Sequence, residues 1–245
     1  MDNTFDKLYY DQGELIAGVD ESGVSDIAGP LVAACVVLPK IDPRKDDLAI
    51  FEVQDSKVVP EKHRKRLAEI VYNMAIGIGI GIVEPREFDY LRKQRSINLA
   101  MSRAVQNCTN NINEKVVPDF VMVDGRERIK YLKIKQDAVV KGDEKILAIA
   151  AASIIAKVYR DSVMSELHAK YPEYLWNKNK GYPCDDHYNG LDTRGIVFGV
   201  HRTSIWPFTP SAKKETKEMA ARRRKWKNIT EVVIHNDHKG VFFDH

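Results

Sequence analysis

The sequence predicts an α/β layer fold, and three observations predict it. Apolar runs of strand length alternate with stretches at helical spacing from Leu15 to Lys170. The stretch Ala75–Val83 reads AIGIGIGIV, with isoleucine and glycine at strictly alternate positions, which is the period of a strand. From Glu144 to Lys170 runs the longest helical pattern, with small residues (Ala148, Ala151, Ala152) that permit a close approach to a sheet.

The elements follow in order. Residues 1–14 read as a lead-in. Strands are predicted at 15–22 and 31–39, joined through a small-residue turn (Ser22, Gly23, Ser25) and Gly29-Pro30. After a loop and the segment Gln54-Asp55-Ser56-Lys57, Pro60 opens a helix, where its missing N–H is no loss. Leu67, Ile70, Val71 and Met74 mark the apolar face of that helix. The three glycines of AIGIGIGIV share one face, so something packs very closely there or the face is open. Glu84-Pro85 stops that strand. A helix is predicted over 86–108, with Ser96 as an internal N-cap. Asp119–Val123 is a short apolar strand followed at once by Asp124-Gly125, and a further strand is expected at 132–140. The segment 177–208 is irregular. After Pro210 the composition turns basic (KKETKEMAARRRKWK at 213–227), which sets a boundary near 210: a main domain over 15–209 and an extension over 210–245.

Composition excludes several classes. The chain has 245 residues, 44% of them hydrophobic, a net charge of +3 and a pI near 8.6. That suits one large globular domain and neither requires nor excludes nucleic acid. Cys35, Cys108 and Cys184 form no CxxC pair, so neither a disulfide framework nor a zinc site is expected, and Cys35 reads as core. The N-terminus has no apolar signal segment, and no stretch approaches the roughly 18 uninterrupted apolar residues of a membrane span. A cytoplasmic protein with no membrane contact is the expectation.

The chemistry is carried by acids. Asp20 and Glu21 end the first strand, and successive strand side chains point to opposite faces, so a local bend at Gly23 is expected to bring them to one site. Asp124 ends another apolar strand. If the two strands are neighbours, Asp20 and Asp124 meet at adjacent strand tips, where open α/β sheets place their ligands. Ser153, Lys157 and Asp161 form one polar stripe on the Ala-rich helix. A solvated Lys157–Asp161 pair is the plainer reading of that stripe. Asp20, Glu21, Asp124 and Asp161 together would put about four negative charges into one cleft. Two divalent cations about 3.5–4 Å apart would neutralise them, and such a pair is suited to in-line displacement at a phosphodiester.

These residues resemble ribonuclease HII, the type 2 ribonuclease H family. The resemblance runs through GVDESGVSDIAGPLVAA, DSK at 55–57, SINLAM at 96–101, VMVDG at 121–125, KGDEKILAIAAASIIAKVYRD at 141–161, NKGYPCDDH at 179–187 and HRTSIWPF at 201–208. It implies an RNase H-like fold, a central mixed sheet flanked by helices with a C-terminal helical or irregular part. It implies endonucleolytic hydrolysis of the RNA strand of RNA–DNA hybrids, and incision 5′ to ribonucleotides embedded in duplex DNA, leaving 3′-hydroxyl and 5′-phosphate ends. It implies a two-metal site for Mg²⁺ or Mn²⁺ on Asp20, Glu21, Asp124 and Asp161. Tyr182 matches the family's tyrosine that stacks on a sugar at the RNA-to-DNA junction, and Lys57, Ser153 and Lys157 match phosphate or site-orienting contacts.

The chain departs from the family after the acid pair. Where the family has Gly-Arg-Gly, a segment that meets the junction through backbone groups, this sequence has Gly23-Val24-Ser25. Ser25 restricts the backbone and Val24 removes a cation, so the expectation is retained cleavage with altered or relaxed junction preference. The alternative is a hybrid-binding relative with lost or altered cleavage. The basic run could grip phosphates, with Trp226 stacking on a base. The terminal GVFFDH is weighed as a sliding-clamp contact, although its upstream positions fit poorly. His187 and His201 are not spaced as metal ligands.

Overall fold

A computed structural model of the chain describes residues 14–40, 50, 52–53, 56, 59–130, 132–210 and 216–228. Five strands form one mixed sheet in the order β3-β2-β1-β4-β5. They are β1 (Ile16–Ser22), β2 (Leu31–Val37), β3 (Gly77–Val83), β4 (Phe120–Asp124) and β5 (Lys135–Val139). β1, β2 and β3 pair antiparallel, whereas β4 lies parallel to β1, and β5 parallel to β4. The helices are α1 (Glu61–Met74), α2 (Pro85–Gln106), α3 (Leu147–Lys170), the single turn α4 (Trp176–Asn179), α5 (Asp185–Arg194) and α6 (Lys217–Asn228).

The sheet alternates between two cores, as its period requires. Ile16, Val32, Ala34 and Val36 belong to the layer under α1 and α3, while Ala17, Val19, Ala33, Cys35 and Val37 face α2. The missing side chains of the glycines let the helices close on it. A Cβ at Gly81 would fall 1.9 Å from the Ala100 carbonyl oxygen in α2, and one at Gly18 would fall 2.1 Å from the Ala148 carbonyl carbon in α3. The glycine face of β3 is therefore a helix seat.

Four expectations change. The segment 177–208, expected to be irregular, carries the ten-residue helix α5. The longest helix begins at Leu147 rather than Glu144, because Gly142–Glu144 forms a separate 3-10 turn after a left-handed Lys141. Ser96 is not an N-cap. Its hydroxyl donates to the Arg92 carbonyl at 2.8 Å, one turn back, and the helix instead starts at Pro85 with a Glu84–Glu87 capping box. The break within α2 falls at Arg92, where φ is 67°. Trp226 does not face a nucleic-acid groove either. It is fully buried against Tyr188 and Phe208, with its indole N–H on Asp192 at 2.7 Å, so α6 braces α5. No helix among the described residues is long and apolar enough to cross a membrane.

Candidate active site

The parallel pairing of β1 and β4 aligns Val19 with Val123, so the next residues, Asp20 and Asp124, stand side by side at the strand tips. β1 continues in regular register to Ser22, opposite Val32, so no bend separates Asp20 from Glu21. The expected local bend comes only after the pair. Asp20 therefore points toward α3 with Ile16 and Gly18, and Glu21 toward α2 with Ala17 and Val19. The two acids straddle the end of the strand.

Asp20 is buried, and its carboxyl is raised well above the usual range by that burial and by the charges of Glu21 and Asp124. Two contacts oppose the rise: a hydrogen bond from Ser153 on α3, and the Glu21 N–H at 2.7 Å. Ser153 in turn lies 3.0 Å, hydroxyl to hydroxyl, from buried Ser56. Asp124 accepts the Gly142 N–H at 2.7 Å, which draws the 3-10 turn onto the tip of β4. Asp143, next in that turn, is also buried. Glu21 and Asp124 open onto a groove of about 260 Å³ floored by Ile97, Met101 and Ile129 and edged by Asn98 and Arg126. The second half of α2, after the break at Arg92, lines this groove with Gln94, Ile97, Asn98 and Met101. Arg92 donates to the Ser204 carbonyl at 3.0 Å, and Asp89 accepts the N–H groups of Thr203 and Ser204.

Asp161 stands apart from these acids. Its carboxylate takes Lys157 at 2.7 Å and Arg64 at 3.7 Å, and it is not among the charges that act on Asp20. Eight residues beyond Ser153, it sits about 12 Å further along α3. The polar stripe therefore splits: Ser153 supports Asp20, while Lys157 and Asp161 pair with each other. Asp143 is the acid that the sequence reading passed over. Its signal was present, since Lys141-Gly142-Asp143 comes at the end of a predicted strand as Asp124 comes at the end of β4. Lys57 lies outside the described residues, as does the GVFFDH tail.

The recognition elements lie beside the acids. Gly23 keeps the left-handed conformation (φ 90°), and a Cβ there would fall 2.0 Å from the Arg160 side chain. Val24 is half-buried and Ser25 exposed. Tyr182 is 55% exposed, on a backbone bonded through both its N–H and its carbonyl. Its N–H donates to the Asn179 carbonyl at 2.8 Å, and its carbonyl accepts His187 Nδ1–H at 3.1 Å. With that proton on Nδ1, His187 Nε2 accepts the Trp176 indole N–H at 3.1 Å. Burial holds His187 down at about 4 and His201 well below its ordinary value, so both rings stay neutral. They are structural supports of Tyr182.

The ribonuclease HII family profile matches residues 17–204. The chain belongs to the ribonuclease HII family. Ribonuclease HII of Trichodesmium erythraeum is 47% identical over 197 residues, covering 80% of this chain and 89% of that protein. Ribonuclease HII of Caldanaerobacter subterraneus is 43% identical over 199 residues, 81% of this chain and 77% of the relative. Among solved structures, ribonuclease H2 of Pyrococcus horikoshii superposes with a TM-score of 0.65 at 23% identity, covering 86% of this chain and 98% of that one, a likeness of fold. Membership makes the chain a type 2 ribonuclease H, an endonuclease that acts on RNA–DNA hybrids, and the mixed sheet with flanking helices is the RNase H-like fold.

Proposed function

We propose that the protein hydrolyses the RNA strand of RNA–DNA hybrids with Mg²⁺ or Mn²⁺ held by Asp20, Glu21 and Asp124, and that Asp143 replaces Asp161 as the fourth acid. The supporting observation is the cluster at the β1 and β4 tips, where burial and the charges of Glu21 and Asp124 raise Asp20. The donor set fits a hard divalent cation, since every candidate ligand is a carboxylate. Among the described residues no three of these side chains close into a ready cage. Mg²⁺ is commonly held through one or two carboxylates, with water and phosphate completing its shell. When bound, such cations supply an activated water and charge stabilisation at the leaving oxygen, giving 3′-hydroxyl and 5′-phosphate ends.

The residues of the chain do the rest. Ser153 orients Asp20 and opposes the rise that burial and the neighbouring charges impose on it, and the Gly142 N–H orients Asp124. The groove beside Glu21 takes the neighbouring nucleotide over Ile97 and Met101, with Arg126 toward its phosphate. Tyr182 offers its exposed face to a sugar, and the backbone of the Gly23–Ser25 turn meets the 2′-hydroxyl. Gly23 retains the left-handed turn, so incision 5′ to embedded ribonucleotides is retained, with a relaxed preference for the junction because Val24 carries no charge. Residues 15–209 form the catalytic unit, and α6 of the 210–245 extension braces it.

Two labelled duplexes test this: DNA with one ribonucleotide and a continuous hybrid, each with Mg²⁺ or Mn²⁺ and with Asp124→Asn as control. Cutting of both by the wild type alone is expected, with the single ribonucleotide cut on its 5′ side. Folded wild-type protein that binds both duplexes and cuts neither would establish a binding relative instead.

A further inference from the structure

Two buried arginines lie under the recognition elements, and neither belongs to the acid cluster. Arg160 of α3 is fully buried. Its Nε donates to the Pro30 carbonyl at 3.0 Å, Nη2 to Ala28 at 3.0 Å and Nη1 to Lys180 at 2.9 Å. Nη1 also meets the Asp26 carboxylate at 2.7 Å. One guanidinium thus joins the segment after Gly23 to the residue two before Tyr182. The same two segments meet directly, Ile27 N–H donating to the Gly181 carbonyl at 2.9 Å. Arg202 adds a second brace, with Nε on Gly29 at 2.9 Å, Nη1 on Gly23 at 2.5 Å, and its plane 4.4 Å over Phe88.

Two like charges buried side by side repel. Burial and the Arg160 charge push Arg202 down to about 9. Asp89, Glu84 and Asp161 act on one or other arginine from a distance, whereas Asp26 is the carboxylate in direct contact with Arg160 and also favours the charge on Arg202. Removing it leaves Arg160 buried without its bonded counter-charge, a strongly unfavourable state. Opening the 24–27 turn to water is the available relief, and that opening frees the turn from Tyr182.

We propose that Asp26 and Arg160 are positioning residues that lock the Gly23–Ser25 turn and Tyr182 at one fixed separation, and so set the preference for a ribonucleotide–DNA junction over a continuous hybrid. The proposal rests on the ribonuclease reading above. A continuous hybrid offers a 2′-hydroxyl at every step and tolerates a loosened turn. A single ribonucleotide must meet the turn and the tyrosine in one register, and a 1 Å misplacement of a positioned group can cost on the order of 10²-fold in rate.

The test compares full-length wild type, Asp26→Asn and Asp26→Glu for kcat/KM on the two duplexes, with thermal melting as a folding control. Asp26→Asn should lower the junction-to-hybrid ratio by about tenfold, mostly through KM on the single-ribonucleotide duplex, and Asp26→Glu should restore most of it. Hydrogen exchange on the substrate-free proteins should show segments 24–30 and 180–184 opening together in Asp26→Asn while β1 and β4 stay protected. A folded Asp26→Asn with an unchanged ratio overturns the proposal, as does an equal loss on both duplexes. If the wild type cuts neither duplex, the ribonuclease reading fails. Exchange alone then decides the lock, and unchanged protection of both segments overturns it.

Discussion

Replacing Gly18 by alanine tests whether the closeness of α3 to β1 sets the active-site geometry. A Cβ at Gly18 falls 2.1 Å from the Ala148 carbonyl carbon and 2.3 Å from both the Ala148 oxygen and the Ile149 nitrogen. Carbon atoms are comfortable at about 3.5 Å, so α3 must withdraw by roughly 1.4 Å. The obstacle is helix backbone, which cannot rotate aside as a side chain can. Overpacking costs about 1–3 kcal/mol, and the rigid obstacle puts this case in the upper half. For a chain of this size that lowers Tm by roughly 4–12 °C. Gly18 and Asp20 share one strand face, so the withdrawal also carries Ser153 away from the Asp20 carboxylate. Circular-dichroism melting and hybrid cleavage, at a temperature where both proteins are folded, read the two effects. The expected rate loss is on the order of 10²-fold, in kcat more than KM. A Gly18→Ala protein that melts within about 1 °C of wild type and cuts at the wild-type rate would refute the reasoning.

Further outcomes follow from the same contacts. Asp20 has a raised carboxyl, so the metal-free protein gains stability as pH falls through that titration; Asp20→Asn should be the more stable protein at pH 7 without metal, an advantage that shrinks in acid, and urea midpoints against pH check it. His187 is depressed to about 4, so unfolding takes up a proton below its ordinary 6.5. Stability should therefore fall by up to roughly 3 kcal/mol between those values, and His187→Gln should lose that part of the slope in urea titrations. Trp226→Ala removes a fully buried ring and should cost about 3–5 kcal/mol in urea unfolding, with hybrid cleavage at low temperature nearly unchanged.

Much of the fold was legible in the sequence because its signals are local. The period-two glycines of β3 marked the strand while leaving its glycine face either closely packed or open, and the small face of α3 marked a close approach to the sheet. Asp20 and Asp124 were legible as strand-end acids, and the pairing of β1 with β4 makes them neighbours. Asp161 was grouped with these acids on its helical stripe, which fixes which residues share a face but not how far along the helix each one lies. Ser153 is level with Asp20, and Asp161 is two turns beyond it. Asp143 was obscured by reading its 3-10 turn as the end of a strand and the start of a helix. The Asp26–Arg160–Arg202 cluster could not be read at all, since Asp26 lies more than a hundred residues from either arginine and the three meet only through tertiary packing.

The most direct measurement is hybrid cleavage in Mg²⁺ by Asp124→Asn, Asp143→Asn and Asp161→Asn, each shown to be folded by its melting curve. The strand-tip site predicts that Asp124→Asn and Asp143→Asn lose at least about 10³-fold in kcat, while Asp161→Asn stays within about tenfold of wild type. Full activity in Asp143→Asn together with loss in Asp161→Asn would contradict it and return the fourth ligand to the middle of α3.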